Sequence, residues 1–330
     1  MTEAYNEKEF LSVKDLNVTY KSGEDTIYAV NGVSFDLAKG STIGLVGETG
    51  AGKTTIAKAI LRILPDHSTK SNEGDIWFKG QKISAIPEEE MQKIRGAEIS
   101  MVFQDPMTAL NPTMTVVDQI AEGLIIHQGM TKEQGRDAAI KMLETVGISG
   151  DRADEYPHQF SGGMKQRVVI AMALACNPEL LIADEPTTAL DVTIQAQVLD
   201  LINDLKVKQD TSMILITHDL GIVAETCDTV AVVYAGEVVE TGSLVELYDD
   251  PRHPYTHGLF GAIPDISKDV DRLSPVDGLP PDPSALPAGC YFSPRCPKCT
   301  EKCKAEHPEA VNIGGTHVVR CFYADKKEGE

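Results

Sequence analysis

Four groups of residues carry chemistry by type and spacing. The first is Gly47-Glu48-Thr49-Gly50-Ala51-Gly52-Lys53-Thr54. Its glycines let backbone N–H groups converge on the β- and γ-phosphates of a nucleotide, and a helix beginning near Gly52 adds its positive dipole end. Lys53 has the reach for the β/γ oxygens, and the Thr54 hydroxyl can coordinate Mg²⁺; Thr55 completes the phosphate-binding set. The second is Asp184-Glu185, which ends an apolar run. Asp184 is placed to hold Mg²⁺ directly or through water, and Glu185 to act as general base on an attacking water. Alone, such a pair reads as a strand ending in solvated acids; beside a phosphate loop the catalytic reading prevails. The third is Ser161-Gly162-Gly163 before an apolar segment, a second helix start able to hold a γ-phosphate. One nucleotide cannot easily use two such helix ends from one chain. The fourth is a cysteine cluster: five of the seven cysteines fall between Cys290 and Cys321. In a cytosolic protein that grouping points to metal or iron–sulfur ligation before disulfides.

The elements that must position these residues alternate in type. Residues 9–46 read as strands (Leu11–Val13, Asn17–Tyr20, Val33–Leu37), with turns at Gly23, Gly32 and Gly40. Thr42–Val46 runs into the phosphate loop and Thr54–Leu64 has a helical pattern, which is the strand–loop–helix context the motif requires. From about 106 to 160 the chain turns helical and polar, notably over Val116–Met130 and Lys132–Val146. Residues 168–240 return to alternating helices and short apolar strands (Leu180–Ala183, Met213–Thr217, Thr229–Tyr234, Glu237–Glu240), the pattern of a sheet covered on both faces. The stretch 264–289 is rich in proline (Pro275, Pro280, Pro281, Pro283, Pro287) and reads as an extended linker.

Together these motifs resemble the ATPase subunits of ATP-binding cassette (ABC) systems, in the family's order. The resemblance implies an α/β fold: a P-loop ABC ATPase core with a β-subdomain and a helical insertion, here followed by a small Cys-rich tail. It implies a domain over 1–262 with its helical subdomain at about 106–165, a linker over 263–289 and a Cys-rich extension over 290–330. It assigns Gln104, in Val102-Phe103-Gln104-Asp105-Pro106, as the Q-loop glutamine, a metal and water ligand and a hinge. Asp191 matches the D-loop, His218 the histidine that contacts the γ-phosphate and orients Glu185, and Tyr20 the residue stacked on adenine, with Tyr28 the alternative. Two such domains pair head to tail, each offering Ser161-Gly162-Gly163 to the ATP on the other's phosphate loop. The signature reads Phe-Ser-Gly-Gly-Met, so Met164 lacks the side-chain hydrogen bonds of the family's usual glutamine.

Pro251-Arg252-His253-Pro254-Tyr255-Thr256 and the tail resemble the C-terminal extension of ATPase subunits from dipeptide and oligopeptide importers, a group that includes nickel importers; the signature is similar to their D-type subunit. That resemblance implies two membrane permease subunits, a paralogous ATPase or a second copy of the chain, an extracytoplasmic solute-binding protein, and a peripheral place on the cytoplasmic face of the membrane. Cys290, Cys296, Cys303 and Cys321 match the spacing that carries a [4Fe–4S] cluster in some D-type subunits. The cluster is the expected occupant; four thiolates also suit tetrahedral Zn²⁺, and an unmetallated tail is the further alternative. Cys299 is extra, and its spacing from Cys296 is one that zinc sites also use.

Composition limits the alternatives. A formal net charge of −20 argues against nucleic-acid partners, which call for clustered Lys and Arg. That charge, the absence of long coiled coils and the single cassette speak against a chromosome, repair or ribosome-directed ABC ATPase. A redox-sensing tail is a third reading, which needs a solvent-accessible cluster. The first seven residues have neither a basic segment nor an apolar one, so no secretory leader is expected. The longest apolar run, Val168–Cys176, is nine residues against the roughly 20 that span a bilayer. A membrane role is therefore expected to come through partners.

Overall fold

A computed structural model describes residues 9–188, 191–261 and 276–324. They form two compact units, one built from the segments up to Ser84 and from Ile216 onward, the other from Ala85–Leu215. In the first unit β1 (Leu11–Ser22) and β2 (Asp25–Leu37) form an antiparallel hairpin turned at Gly23. The sequence pattern splits β1 in two because alternation lapses around Asp15. The structure keeps one strand by bulging: the register shifts between Val13 and Leu16, and Asp15 takes a φ of 48°. Gly32 is likewise not a turn but lies inside β2 with a φ of 63°, its N–H donating to the Asn17 side chain.

β3 (Thr42–Val46) is buried at all five positions and leads into α1 (Lys53–Ile60). The helix stops four residues before the expected Leu64, because Arg62 turns left-handed at a φ of 54°. β4 (Thr69–Phe78) and β5 (Gln81–Lys82) complete a sheet ordered β2-β1-β4-β5.

The second unit runs α2 (Glu88–Ile94), β6 (Ile99–Val102), α3 (Pro106–Ala109), α4 (Val116–Gln128), α5 (Lys132–Thr145), α6 (Gly162–Leu174), β7 (Leu180–Asp184) and α7 (Val192–Gln209), then β8 (Ser212–Ile216). The strands lie in the order β8-β7-β6, with β6 parallel to β7, and every residue of the three is buried. Local chemistry sets the two long helices between β6 and α6. Thr115 caps α4 on the Asp118 N–H and Gly129 ends it at a φ of 64°; Thr131 and Gln134 form a capping box for α5.

The chain then returns to the first unit with α8 (Leu220–Thr226), β9 (Thr229–Tyr234), β10 (Glu237–Ser243), α9 (Leu244–Asp249), α10 (Pro254–Phe260), α11 (Glu301–Ala305), β11 (Val311–Gly314) and β12 (His317–Val319). The unit's second sheet is ordered β11-β12-β10-β9-β3, with β3 parallel to β9. The Cys-rich tail thus adds strands to the core sheet rather than standing apart. β12 pairs antiparallel with β10, and the fully buried Glu240 carboxylate bonds His317 Nε2 at 2.7 Å and accepts the Arg252 and His253 N–H groups at 2.7 and 2.9 Å. Of the expected linker, residues 263–275 lie outside the described residues, and 276–289 contain neither helix nor strand. No described helix is long and apolar enough to cross a membrane.

Candidate active site

In the first unit the phosphate loop leaves β3 through glycines that its geometry requires. Gly47 has a φ of 148° and a Cβ there would sit 2.1 Å from the Val233 carbonyl oxygen; Gly52 has a φ of 101° and would meet the Ala29 carbonyl at 2.4 Å. No side chain caps α1 at Gly52, so the dipole end of the helix faces the loop. The Lys53 ammonium is buried beneath the loop and donates to the Gly47 and Glu48 carbonyls at 2.6 and 2.9 Å. Tyr20, on β1, brings its hydroxyl to 3.5 Å from Thr55 Oγ1, whereas Tyr28 is exposed and its N–H donates to the Pro283 carbonyl. Of the two candidates for adenine stacking, Tyr20 is therefore the one beside the phosphate-loop helix. His218 is exposed just after β8, next to Asp219, which caps α8 by accepting from the Gly221 and Ile222 N–H groups.

In the second unit, β7 ends in the acidic pair. Asp184 is 2% exposed, and Glu185 adopts the left-handed φ of 44°, a conformation that costs a non-glycine residue about 1 kcal/mol or more and recurs at functional sites. Gln104 Nε2, just beyond β6, donates to Glu185 Oε2 at 3.0 Å, and the Thr188 hydroxyl donates to the same oxygen at 2.8 Å. Gln104, the expected Q-loop glutamine, and the candidate base are thus joined directly. Thr188 escaped the sequence reading, although it follows the acidic pair within three residues.

Ser161 caps α6, accepting from the Met164 N–H, with Ser161 and Gly162 exposed. Gly163 has no room for a side chain, since a Cβ would lie 2.8 Å from Ile194 Cγ2. Asp191 caps α7 on the Ile194 N–H at 3.0 Å; its D-loop neighbours Ala189 and Leu190 lie outside the described residues. The Met164 sulfur accepts from the Arg152 guanidinium at 3.2 Å, so the departure from glutamine retains one weak polar contact.

Cys290, Cys296, Cys303 and Cys321 all line one cavity of about 590 Å³ in the first unit, and Cys299 is not among its lining residues. The Cys290 N–H donates to the Cys303 carbonyl at 2.8 Å, which fixes the two segments together. Burial pushes the Cys290 thiol up to about 12 and the Cys296 thiol up to about 11, and it raises Cys321 as well. Among the described residues, no three His, Cys, Asp or Glu side chains form a group that could hold a metal ion.

The tail also reaches the phosphate loop. Arg295, beside Cys296, holds the Glu48 carboxylate through both guanidinium arms at 2.8 and 2.9 Å, and the Glu48 N–H donates to the Tyr255 hydroxyl at 2.9 Å. Neither Arg295 nor Tyr255 has a sequence signal for this role, because 247 and 207 residues separate them from Glu48.

Comparison with known proteins agrees with the geometry. The ABC transporter family model matches residues 30–188, and the model for the oligopeptide/dipeptide transporter C-terminal region matches residues 239–303. The dipeptide transport ATP-binding protein DppD of Bacillus subtilis strain 168 is 50% identical over 96% of this chain and 95% of its own. The oligopeptide transport ATP-binding protein AppD of the same organism is 47% identical over 97% of this chain and 98% of its own. Among solved structures, the dimeric post-hydrolysis state of the ATP-binding cassette MJ0796 bound to ADP and Pi is similar with a TM-score of 0.64 and 30% identity, covering 71% of this chain and 98% of that one. The chain belongs to the ABC transporter ATPases, within the branch of dipeptide and oligopeptide transport ATP-binding subunits.

Proposed function

We propose that this chain is the ATP-hydrolysing motor subunit of a membrane importer for dipeptides or oligopeptides. The observation that carries the peptide reading is the C-terminal match over residues 239–303, because an ABC core alone is common to transporters of many solutes. Gly47, Gly50, Gly52, Lys53, Thr54 and Thr55 hold the phosphates, and Tyr20 stacks on adenine. Thr54, Gln104 and Asp184 supply oxygen ligands, the donor set Mg²⁺ prefers, and the ion neutralises phosphate charge when bound. Glu185, aligned by Gln104 and Thr188, takes the proton of the attacking water, and His218 contacts the γ-phosphate. Ser161, Gly162 and Gly163 serve the ATP of a partner ATPase in a head-to-tail dimer, with Asp191 at the interface. Closure of that dimer drives two permease subunits, and the chain works as a peripheral protein on the cytoplasmic face of the membrane.

For the tail, Cys290, Cys296, Cys303 and Cys321 are the residues that would hold a [4Fe–4S] cluster, four thiolates being its ligand set, with Zn²⁺ the alternative. When bound, the cluster staples four separate tail positions; no step of hydrolysis passes through it.

The test is affinity capture of the tagged full-length E185Q chain from its own solubilised membranes, with ATP and Mg²⁺. Recovery of two permeases, a second ATPase and a solute-binding protein is expected, and the ligand of the last names the substrate. Recovery of soluble partners alone overturns the importer.

A further inference from the structure

Glu48 is gripped at three points within one unit. The Tyr255 hydroxyl accepts from its N–H, Lys53 donates to its carbonyl, and Arg295 pairs bidentately with its carboxylate. Arg295 is itself locked. Its side chain is 4% exposed, and it donates to the Asp277 and Val276 carbonyls at 2.9 and 3.0 Å and faces the Tyr234 ring at 5.7 Å. Tyr255 packs against Tyr234 and Phe292 with ring centroids 4.6 and 5.5 Å apart, and Phe292 is a tail residue. A carboxylate at the second position of a phosphate-binding loop opposes a polyanion, so its neutralisation bears directly on nucleotide affinity.

From this arrangement we infer that Arg295 is a positioning residue for ATP: it braces the phosphate loop from the C-terminal tail and cancels the Glu48 charge. A bidentate guanidinium–carboxylate pair fixes direction as well as charge, and a loop held in its bound shape loses less entropy when the triphosphate arrives. Removing Arg295 frees the carboxylate beside the phosphates and loosens one of the three grips. The inference rests on the phosphate loop binding ATP and is independent of what the transporter carries or what metal the tail holds.

The test is a double-mutant cycle on the full-length protein, read by binding of a fluorescent ATP analogue with Mg²⁺ and by melting temperature. R295M is expected to weaken binding about tenfold, which corresponds to about 1.4 kcal/mol. In the E48Q background, R295M should change affinity less than twofold, because the charge it neutralised is gone. R295K, which keeps the charge and loses the fork, should fall between. The inference is overturned if R295M leaves affinity unchanged, or if it weakens binding equally with and without the Glu48 carboxylate, which is the signature of a merely destabilised tail. E48Q leaves the tail sequence intact, so its affinity and melting temperature report on the loop even where R295M folds poorly. A wild-type chain that bound no analogue would instead remove the nucleotide site itself.

Discussion

Glu185 carries the heaviest proposed chemical role, and its backbone and side-chain geometry support that proposal. The left-handed φ of 44° holds the carboxylate off the end of β7, and two donors converge on one of its oxygens. A general base contributes about 10²- to 10⁴-fold to rate. E185Q is therefore expected to lower phosphate release at saturating Mg·ATP by about that factor while ATP affinity stays within a few fold; near-normal turnover would reassign the base. Cysteine substitutions separate the four lining thiols from the fifth. If the proposed cluster is present, C303S is expected to lose most of the iron of anaerobically purified protein and C299S to keep it, with iron content per chain as the measure. Equal retention by both variants would disqualify the four-cysteine set. The residues proposed to do chemistry were legible because their spacing is local: eight consecutive residues for the phosphate loop, three for the signature, two for the acids. Arg295, Tyr255 and Thr188 were not, since their roles depend on what the fold brings near them.

Elements were legible where one local rule sufficed. The helical stretches 116–130 and 132–146 are α4 and α5, and the short apolar runs Leu180–Ala183 and Met213–Ile216 are buried strands within β7 and β8. β4 gave no such signal. Thr69–Phe78 is mostly polar with only Ile76 and Phe78 buried, and its strand form comes from pairing with β1 across a register that slips between Lys14 and Asn17, opposite Gly74. There Gly74 approaches the Asp15 backbone so closely that a Cβ would lie 2.5 Å from the Asp15 carbonyl. The tail hairpin β11–β12 was equally silent, because its attachment is to residues distant in sequence: β12 pairs with β10, and Thr316 bonds Glu246 of α9. Glu246 accepts from the Thr316 N–H and hydroxyl and from the Ser243 N–H and hydroxyl. Desolvation, the largest single influence, raises its pKa, but the four bonds to the ionised form together outweigh it and bring the carboxyl from 4.5 down to about 2. A depressed folded pKa contributes stability that is present above the unfolded value and lost as pH falls through the folded one. E246Q is accordingly expected to melt below wild type at pH 7, with the gap closing as the pH falls from about 4.5 toward 2. A gap independent of pH would show that Glu246 acts by packing and not by charge.

At the scale of the molecule, the acidic surface and the tail answer different questions. The net charge of −20 bears on solubility and on which partners are repelled, and it leaves the fold unspecified. The tail, by contrast, is tied into the first unit at the β10–β12 ladder, the buried Glu240–His317 contact, the Phe292 aromatic cluster and the Arg295–Glu48 pair. If the last of these links phosphate loop and tail, coupling must run both ways, because linkage between two sites is reciprocal in free energy. Saturating Mg·ATP should then slow exchange of tail amides, with the Cys290 N–H, bonded to the Cys303 carbonyl, as the reporter. Hydrogen exchange read by mass spectrometry on the full-length chain measures this without requiring turnover, so the E185Q protein serves as well as wild type. Protection by ATP that disappears in R295M would place the coupling in that ion pair. Protection that survives R295M would instead route it through Tyr255, whose hydroxyl takes the Glu48 N–H, and Y255F would then be the variant that abolishes it.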